Sequence, residues 1–422
     1  MKKLSLCLAL IGLLGVGGQA FAVINAIDDV PAATLLLPYF EVDLSSTDGV
    51  NTLFSVNNAS ATAVLGHVTI WSDQSVPVLD FDIYLTGYDV QTINLRDVLQ
   101  IGNLPRTASD GQDTPQDTIS PQGPLSQDIN FASCGGTLPY SNPALNPAFR
   151  AHLQAILQGN ASPTFGTCYG SKTKDNILRG YVTVDTVNSC NVLFPSQFPL
   201  YDTVLTDQNV LWGDYFYVNT GQNFAQGETL VHIESCPTCF LTGDHTFYGR
   251  YNGATAIDGR EALPTTMAAR YLNGAGFNGG TDFLIWREGG SQASATSYNC
   301  NLQGPNEWYP LTANQIGVFD ETEQVVTSEN CPSGFDCGED IVVPNEAQRL
   351  DVATDFLTPF DFGWVYANLQ LGAGDVHPTY GDPYNQAWLT TVMDATGRFS
   401  VGFDGVQLDN ANAPTTTFLP FP

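Results

Sequence analysis

Positive charge is scarce in this chain. Lysine and arginine together number 14, against 43 aspartates and glutamates, which gives a formal net charge of −29 at pH 7. The only lysines are Lys2, Lys3, Lys172 and Lys174. Nucleic acids and anionic lipid surfaces attract basic protein surfaces. The composition therefore argues against both as partners and is typical of a protein that stays soluble outside the cell.

Long apolar runs are absent after the first residues. The opening stretch MKKLSLCLALIGLLGVGGQAFA combines a basic end, an apolar run and a small-residue site that ends at Ala22, which is the pattern of a secretory signal peptide. We expect residues 1–22 to be removed from a bacterial protein that is secreted or held on the outer cell surface. No later stretch reaches the roughly 18 to 20 apolar residues of a membrane-spanning helix, so no transmembrane segment is expected.

Catalytic motifs are also missing. The chain has five histidines, and it contains no Gly-x-Ser-x-Gly elbow, no His-Glu-x-x-His pair and no glycine-rich phosphate loop. His67 shares a strand face with Trp71, and a packed or surface histidine is expected there rather than a catalytic one. The 43 acidic residues supply many carboxylate pairs for glycoside hydrolysis, and the sequence does not select one of them.

Cysteines are few but even in number once Cys7 in the signal peptide is set aside. An even number in an exported chain predicts disulfides, with the pairing open. The candidates are Cys134, Cys168, Cys190, Cys236, Cys239, Cys300, Cys331 and Cys337. Most of them fall in long insertions, where a disulfide restricts the unfolded chain. We expect them to fasten these loops, and Cys134 with Cys168 is the first pairing to test.

Strand patterns dominate the rest of the chain. Apolar and polar residues alternate in short runs such as 64–71, and 40 glycines and 25 prolines supply turns. A helix is expected only at NPALNPAFRAHLQAILQG, where Ala148, His152, Ile156 and Leu157 share one face. The pattern predicts an all-β fold of sandwich type with one short helix.

An internal repeat suggests two domains. Four short segments of the first half recur in the same order in the second half, and we call them the landmarks of the repeat. They are NTLFSV, VTIWSD, INLRDV and RGYVTV in the first copy, and GTDFLIW, IGVFDE, QRLDVA and FGWVYA in the second. The first landmark shares Thr-x-Phe between the copies, and the last shares Gly-aromatic-Val. Similarity at so long a period is a domain-level signal. We expect a first domain at residues 23–255 with an insertion near 98–178. We expect a second domain at 256–422 with insertions near 287–315 and 322–347.

The first copy also resembles a known group. TLFSVNNASATAVLGHVTIWSD, followed by GYDVQTINLRDV, is similar to the immunoglobulin-like repeats of bacterial secreted proteins. The resemblance covers residues 33–100 well and the second copy through its landmarks. It implies two tandem immunoglobulin-like β-sandwich domains in an extracellular setting, and it implies no catalytic residue.

Two segments suggest metal binding. VHIESCPTCFLTGDH contains His232, Cys236, Cys239 and His245, and its Cys-x-x-Cys spacing suits a tetrahedral zinc ion. A disulfide through the same cysteines is the alternative, and the oxidising compartment favours it. In SDGQDTPQD, the carboxylates of Asp110, Asp113 and Asp117 suit calcium, although a solvated acidic loop is the favoured explanation. No other cofactor is expected.

Function is predicted from the insertions. Trp308 in NEWYP lies in an insertion and is the candidate for contact with a sugar ring, whereas Trp364 and Tyr181 are expected to be structural. The leading hypothesis is a non-catalytic structural or adhesion protein, secreted or on the cell surface, with a recognition surface on its loops. A secreted polysaccharide-acting hydrolase and a carbohydrate-binding module are the alternatives. An extracellular surface or a glycan is the expected partner, and the oligomeric state stays open.

Overall fold

The computed structural model describes most of the chain. It describes residues 30–109, 130–166, 170–171, 175–238, 246–252, 258–274, 276–288, 316–326, 345–356, 358–369 and 386–408. The predicted signal peptide at 1–22 lies outside these ranges. No helix within them is long and apolar enough to cross a membrane.

The first nine strands form two antiparallel sheets, as expected for a β-rich fold. They are β1 (Thr34–Asp43), β2 (Asn51–Asn58), β3 (Val64–Ser72), β4 (Pro77–Leu85), β5 (Val90–Asn94), β6 (Ile177–Val187), β7 (Leu211–Asn219), β8 (Phe224–Thr229) and β9 (Val231–Ile233). Sheet 1 has the order β4-β3-β6-β1-β9, and sheet 2 has the order β5-β2-β7-β8.

The last nine strands form two more sheets. They are β10 (Thr266–Leu272), β11 (Gly280–Arg287), β12 (Ile316–Asp320), β13 (Val325–Val326), β14 (Ala347–Asp351), β15 (Phe362–Asn368), β16 (Ala387–Ala395), β17 (Phe399–Asp404) and β18 (Val406–Gln407). Sheet 3 has the order β13-β12-β15-β10-β18, and sheet 4 has the order β14-β11-β16-β17. Each order equals that of sheet 1 or sheet 2 with nine added to every strand number.

The sequence landmarks fall on corresponding strands. Those of the first copy lie on β2, β3, β5 and β6, and those of the second copy lie on β11, β12, β14 and β15. The predicted domain boundary near residue 255 falls between β9 and β10. Both halves contribute to one continuous apolar cluster, so the two halves pack against each other.

The four sheets are stacked in layers. One face of sheet 1 packs on sheet 2, where Leu35 lies beside Gly213. The other face packs on sheet 4, where the rings of Tyr181 and Trp286 are 6.0 Å apart. Sheet 3 covers the far face of sheet 4, with β10 against β11 and β16. Sheet 4 also contacts sheet 2 directly, since β17 lies beside β8 and the Ser400 hydroxyl donates a hydrogen bond to the carbonyl oxygen of Ala225 at 2.6 Å.

The threonine landmark joins the sheets within each half. The hydroxyl of Thr52 accepts a hydrogen bond from the backbone N–H of Glu41 and donates one to its carbonyl, both 3.0 Å long. Thr281 makes the same two bonds with Leu272 at 2.8 Å. A threonine in Thr-x-Phe thus fastens β2 to β1 and β11 to β10.

The glycine landmark has a steric cause. A Cβ on Gly180 in β6 would overlap the carbonyl oxygen of Trp71 in β3. A Cβ on Gly363 in β15 would overlap the carbonyl oxygen of Phe319 in β12. Only glycine lets these strands approach so closely, which accounts for Gly-aromatic-Val in both halves.

The predicted helix is confirmed as α1 (Pro147–Ile156). The Asn146 side chain caps it by accepting a hydrogen bond from the backbone N–H of Phe149 at 2.8 Å. The expectation of a single helix is wrong, because α2 (Gly249–Asn252) and α3 (Val352–Asp355) also form. One-turn helices are too short to produce a periodic apolar pattern. Helical turns also occur at Asp97–Ile101, Phe131–Gly136, Pro195–Gln197, Tyr201–Thr203 and Thr220–Gln222.

The expected pairing of Cys134 with Cys168 is wrong. Cys134 is bonded to Cys190, which lies 56 positions further along the sequence, and their Cα atoms are 4.8 Å apart. Cys190 follows the end of β6, so the disulfide ties the first insertion to sheet 1 rather than closing a loop within the insertion. Cys236 is also a disulfide cysteine. The candidates Cys168, Cys239, Cys300, Cys331 and Cys337 lie outside the described residues.

We expect Gly180→Ala and Gly363→Ala each to lower the free energy of unfolding by at least about 2 kcal/mol, because the added methyl group forces two paired strands apart. Chemical denaturation monitored by circular dichroism measures the loss. Gly135→Ala is the matched control, since a Cβ there meets no atom within 4 Å. An equal loss in all three variants would contradict the steric explanation.

Candidate functional site

A groove lies along β10, where sheet 3 meets the β17 edge of sheet 4. Its volume is about 360 Å³. The lining residues come from β10, β15, the turn after β12, the end of β17 and the start of β18, and they are Ala268, Ala269, Arg270, Glu321, Gly363, Trp364, Phe403, Asp404 and Val406. Among the described strands, β18 pairs only with Met267 and Ala268 of β10. The later residues of β10 therefore form a sheet edge, and the groove opens there.

Trp364 lines the groove and is backed by the ring of Phe319. The rings of Phe319 and Trp364 lie on paired strand positions, with centroids 4.0 Å apart and planes at 3°. Both side chains are partly exposed. The groove therefore presents a flat, rigid apolar surface that can stack against a planar group or an aliphatic face.

Charged groups surround this wall. The side chains of Arg270 and Glu321 are exposed at the rim. The Asp404 carboxylate accepts hydrogen bonds from the Trp388 indole N–H at 3.1 Å and from the Thr390 hydroxyl at 2.8 Å. These bonds fix the Asp404 carboxylate at the end of β17. The site combines an apolar wall with a polar rim, an arrangement that suits binding surfaces.

A second polar cluster is buried inside the protein. The Asp185 carboxylate accepts hydrogen bonds from the hydroxyls of Tyr201 at 2.5 Å, of Tyr248 at 2.7 Å and of Thr34. The Arg260 guanidinium lies 3.6 Å from the same carboxylate and is 0% exposed. Burial and the negative charge of Asp185 raise the pKa of both tyrosines, which keeps them neutral donors. The cluster joins the segment before β10 to sheet 1 and is closed to solvent.

His67 belongs to the packed interior, one of the two environments expected for it. It is 0% exposed, and its Nδ1 atom lies 2.8 Å from the Asp82 carboxylate. Burial lowers the pKa of His67, but the hydrogen bond and charge of Asp82 outweigh this effect and raise it overall. A buried pair of this kind is a structural ion pair that no substrate can reach.

Asp73 joins three separate segments at the turn between β3 and β4. Its carboxylate accepts hydrogen bonds from the backbone N–H of Ser171 at 2.9 Å and from the Asn345 amide at 3.3 Å. Its carbonyl accepts one from the N–H of Glu346 at 2.9 Å. Burial raises the pKa of Asp73 to about 6. Burial has the same effect on the pKa of Asp80, which also rises to about 6.

In the segment predicted to bind zinc, the described residues His232 and Cys236 have structural roles. The Nε2 atom of His232 accepts a hydrogen bond from the N–H of Gly213 at 3.2 Å, and its Nδ1 atom lies 2.9 Å from the carbonyl oxygen of Val30. Cys236 is in a disulfide, whereas zinc requires a thiolate. Cys239 and His245 lie outside the described residues.

The other predicted site residues also lie outside the described ranges. They are Trp308 and the calcium candidates Asp110, Asp113 and Asp117. Within the described part of the chain, no group of three or more His, Cys, Asp or Glu side chains is arranged to hold a metal ion.

Sequence reasoning missed the groove. It assigned Trp364 to the core because the residue occupies the Gly-aromatic-Val landmark together with Tyr181. Tyr181 is 2% exposed and is indeed buried, but Trp364 is partly exposed and lines the groove. The available signal was Arg270 on β10, which pairs with Trp364 on β15. A charged residue beside an aromatic one indicates that this face of the sheet is exposed to solvent.

Protonation of the buried carboxylates should control stability. The folded-state pKa of Asp73 and Asp80 lies near 6, above the ordinary value of 3.8. The folded chain then binds more protons than the unfolded chain between about pH 4 and 6, so the free energy of unfolding falls as pH rises through this window. For Asp73 alone the fall is about 2–3 kcal/mol.

We expect Asp80→Asn to stabilise the protein at pH 7.5 and to flatten this pH dependence, because the substitution removes a buried negative charge. Urea denaturation at several pH values between 4 and 8 measures the effect. Asp48→Asn, at an exposed carboxylate, serves as the control. A free energy of unfolding that rises steadily from pH 4 to 7 in the wild type would contradict the assignment.

The chain matches no protein-family model, no curated protein and no solved structure at a significant level.

Proposed function

We propose that the protein is a non-catalytic structural or adhesion protein, exported to the bacterial cell surface, and that it binds its partner through the groove on sheet 3. The observation that carries this proposal is the Phe319–Trp364 wall, since a rigid aromatic pair on an exposed sheet face is an anchor for recognition. In this proposal the recognition surface lies on a sheet face, in addition to the insertions.

We also propose that the chain consists of two tandem immunoglobulin-like sandwiches. The support is the shift of nine strands that relates the sheet orders. The shared threonine bonds of Thr52 and Thr281 and the shared glycine contacts of Gly180 and Gly363 add to it. Two unrelated halves would have no reason to use the same residues at the same joints.

The buried polar groups support a scaffold role for the interior. Asp185, His67 and Asp82 are each 0% exposed, and they form hydrogen bonds with other groups inside the protein. Acid–base catalysis requires a group that can reach a substrate. The groove, in contrast, has exposed charged side chains at its rim.

A carbohydrate-binding role without catalysis is the second candidate. The exposed part of the Trp364 ring gives a flat surface for a sugar ring, and Arg270 and Glu321 at the rim offer a donor and an acceptor to its hydroxyl groups. In this case the partner on the cell surface is a glycan.

We expect a tagged copy of the protein, made in its native host, to remain on intact cells, and we expect Trp364→Ala to shift most of it into the medium. The substitution removes the wall of the groove without touching the buried clusters. Quantitative blotting of the cell and medium fractions measures the distribution. Release of the wild type by a chelator would indicate that calcium bridges it to the surface.

Phe165→Ala is the matched control, because Phe165 is a 65% exposed aromatic residue in the first half of the chain. Circular dichroism of each purified variant establishes that it is folded. Accumulation of the wild type in the medium, or equal retention of wild type and Trp364→Ala, would refute the proposed function.

A further inference from the structure

We propose that the partner held in the groove is an extended peptide segment with an acidic residue, which adds as a strand to the open edge of β10 and pairs with Arg270. This inference rests on the proposed function and names the partner that the same groove takes. It follows from the direction in which the backbone groups of β10 point and from the side chains that border them.

The backbone groups of β10 point alternately to its two sides. At one end of the strand, the Thr265 carbonyl oxygen accepts a hydrogen bond from the N–H of Leu369 at 2.9 Å. At the other end, the Asn273 N–H donates one to the carbonyl oxygen of Asp361 at 2.6 Å. The register between β10 and β15 is unbroken, and direction alternates from one residue to the next in antiparallel pairing. The odd-numbered residues of β10 therefore bond to β15.

The even-numbered residues of β10 point to the opposite side, which is the side of the groove. The first of them bond to the end of the chain's own β18. The Thr266 carbonyl oxygen accepts a hydrogen bond from the N–H of Leu408 at 2.9 Å. Ala268 is paired with Val406, the first residue of β18. The edge of β10 thus already accepts an added strand over part of its length.

Arg270 is the position that this side leaves open. Beyond it, the N–H and the carbonyl of Leu272 both bond to the Thr281 hydroxyl at 2.8 Å. In the register of β18, the residue opposite Arg270 would be Asp404, but Asp404 belongs to β17 and pairs with Thr390 of β16. Among the described residues, no group on this side therefore bonds to the N–H or the carbonyl oxygen of Arg270.

An open N–H and carbonyl on one strand residue are what an added strand requires. In an antiparallel hydrogen-bonded pair, two opposing residues exchange both N–H···O bonds. A single residue of an extended peptide therefore satisfies both groups of Arg270. The peptide residues on either side of it point their N–H groups away from β10. A sugar has no donor and acceptor fixed at this spacing, so the edge favours a peptide over a glycan.

The chain closes the outer edge of sheet 1 in a different way. The Asp82 N–H of β4 donates a hydrogen bond to the carbonyl oxygen of Leu138 at 2.9 Å. The Tyr84 N–H donates to the Thr107 hydroxyl at 2.7 Å, and that hydroxyl donates to the Tyr84 carbonyl oxygen at 3.1 Å. Open strand edges recruit other chains, and proteins commonly cover them. The edge at Arg270 lacks such a cover and lies in a groove.

The side chain of Arg270 sets the charge of the peptide. It is exposed at the rim and forms no ion pair or hydrogen bond with the part of the chain that the structure describes. A peptide residue opposite Arg270 has its side chain on the same face, directly beside the guanidinium. Opposite charges in such a cross-strand pair are stabilising, whereas like charges are destabilising. We therefore expect an aspartate or a glutamate at this position of the peptide.

The other lining residues favour apolar neighbours for the acidic residue. Successive side chains of a strand point to opposite faces, so the adjacent peptide residues turn toward β17, where Phe403 is partly exposed. On the outer face, Trp364 lies beside Arg270 and gives an apolar surface to a longer side chain. The expected ligand is an acidic residue between two apolar ones.

Two substitutions at one position separate the backbone from the side chain. Arg270→Thr and Arg270→Pro both remove the guanidinium, but only proline also removes the N–H. Because this N–H points away from β15, proline deletes no bond between β10 and β15, and proline is tolerated at such edge positions. Circular dichroism establishes that each variant is folded.

A phage-displayed library of random peptides supplies the probe. It is selected on the purified wild-type chain after depletion on Trp364→Ala, and we expect enriched peptides to carry Asp or Glu between apolar residues. Fluorescence anisotropy of the synthesised peptide measures its Kd. Arg270→Thr should weaken binding up to about fivefold, and Arg270→Pro at least about tenfold further. Arg398→Thr, at an exposed arginine elsewhere, is the control and should bind like the wild type.

Methylation of the peptide backbone gives a second readout that needs no variant of the protein. A methyl group on the nitrogen of the acidic residue removes the donor to the Arg270 carbonyl oxygen and should abolish binding. A methyl group on the next nitrogen, which points away from β10, should leave most of the affinity.

Three results would overturn the proposal. They are a selection that enriches no peptide, equal affinity of Arg270→Thr and Arg270→Pro, and equal loss of binding at both methylated positions. If the protein is nevertheless retained on cells through Trp364, the proposed function stands with a glycan as its partner. Retention that does not depend on Trp364 refutes the proposed function itself.

Discussion

The fold depends on covering both faces of sheet 1. Its strand β1 has the sequence TLLLPYFEVD and is buried over nine of its ten residues, so neither face tolerates water. Strands of this kind read as nearly continuous apolar runs and need a layer on each side. Sheet 2 supplies one layer. The other face is covered by Tyr201, Tyr248 and Arg260, which close over Asp185, and by Trp286 of sheet 4 beside Tyr181. Part of the core of the first half is therefore buried by the second half.

Polar groups within the stack hold the layers in register. The Asp185 carboxylate collects hydroxyl donors and lies close to the Arg260 guanidinium, and Asp73 links the β3–β4 turn to Ser171 and Asn345. Groups of this kind add little net stability because their desolvation is costly, but a misplaced layer would leave them unpaired. They favour one arrangement of the halves over others that bury the same apolar area.

The outer face of sheet 3 carries the features that point to function. It has the same strand arrangement as the outer face of sheet 1, but Phe319 and Trp364 are partly exposed where Trp71 and Tyr181 are buried. Trp364 lines a groove beside charged side chains. This combination is the basis for proposing a recognition surface there.

The β-rich class, the order of the landmarks and helix α1 could be read from the sequence, because they follow from local alternation, from Asn146 and Pro147 at a helix start, and from residues such as Gly180 that a strand pairing requires. The pairing of Cys134 with Cys190, the additional one-turn helices and the exposure of Trp364 could not. Tyr181 and Trp364 occupy the same motif, and the motif alone predicts burial for both. What separates them is a layer that comes from a distant part of the chain, since sheet 4 covers the first and, within the described residues, no sheet covers the second. Local pattern determines how a strand pairs, and only the packing of distant layers determines which of its faces meets solvent.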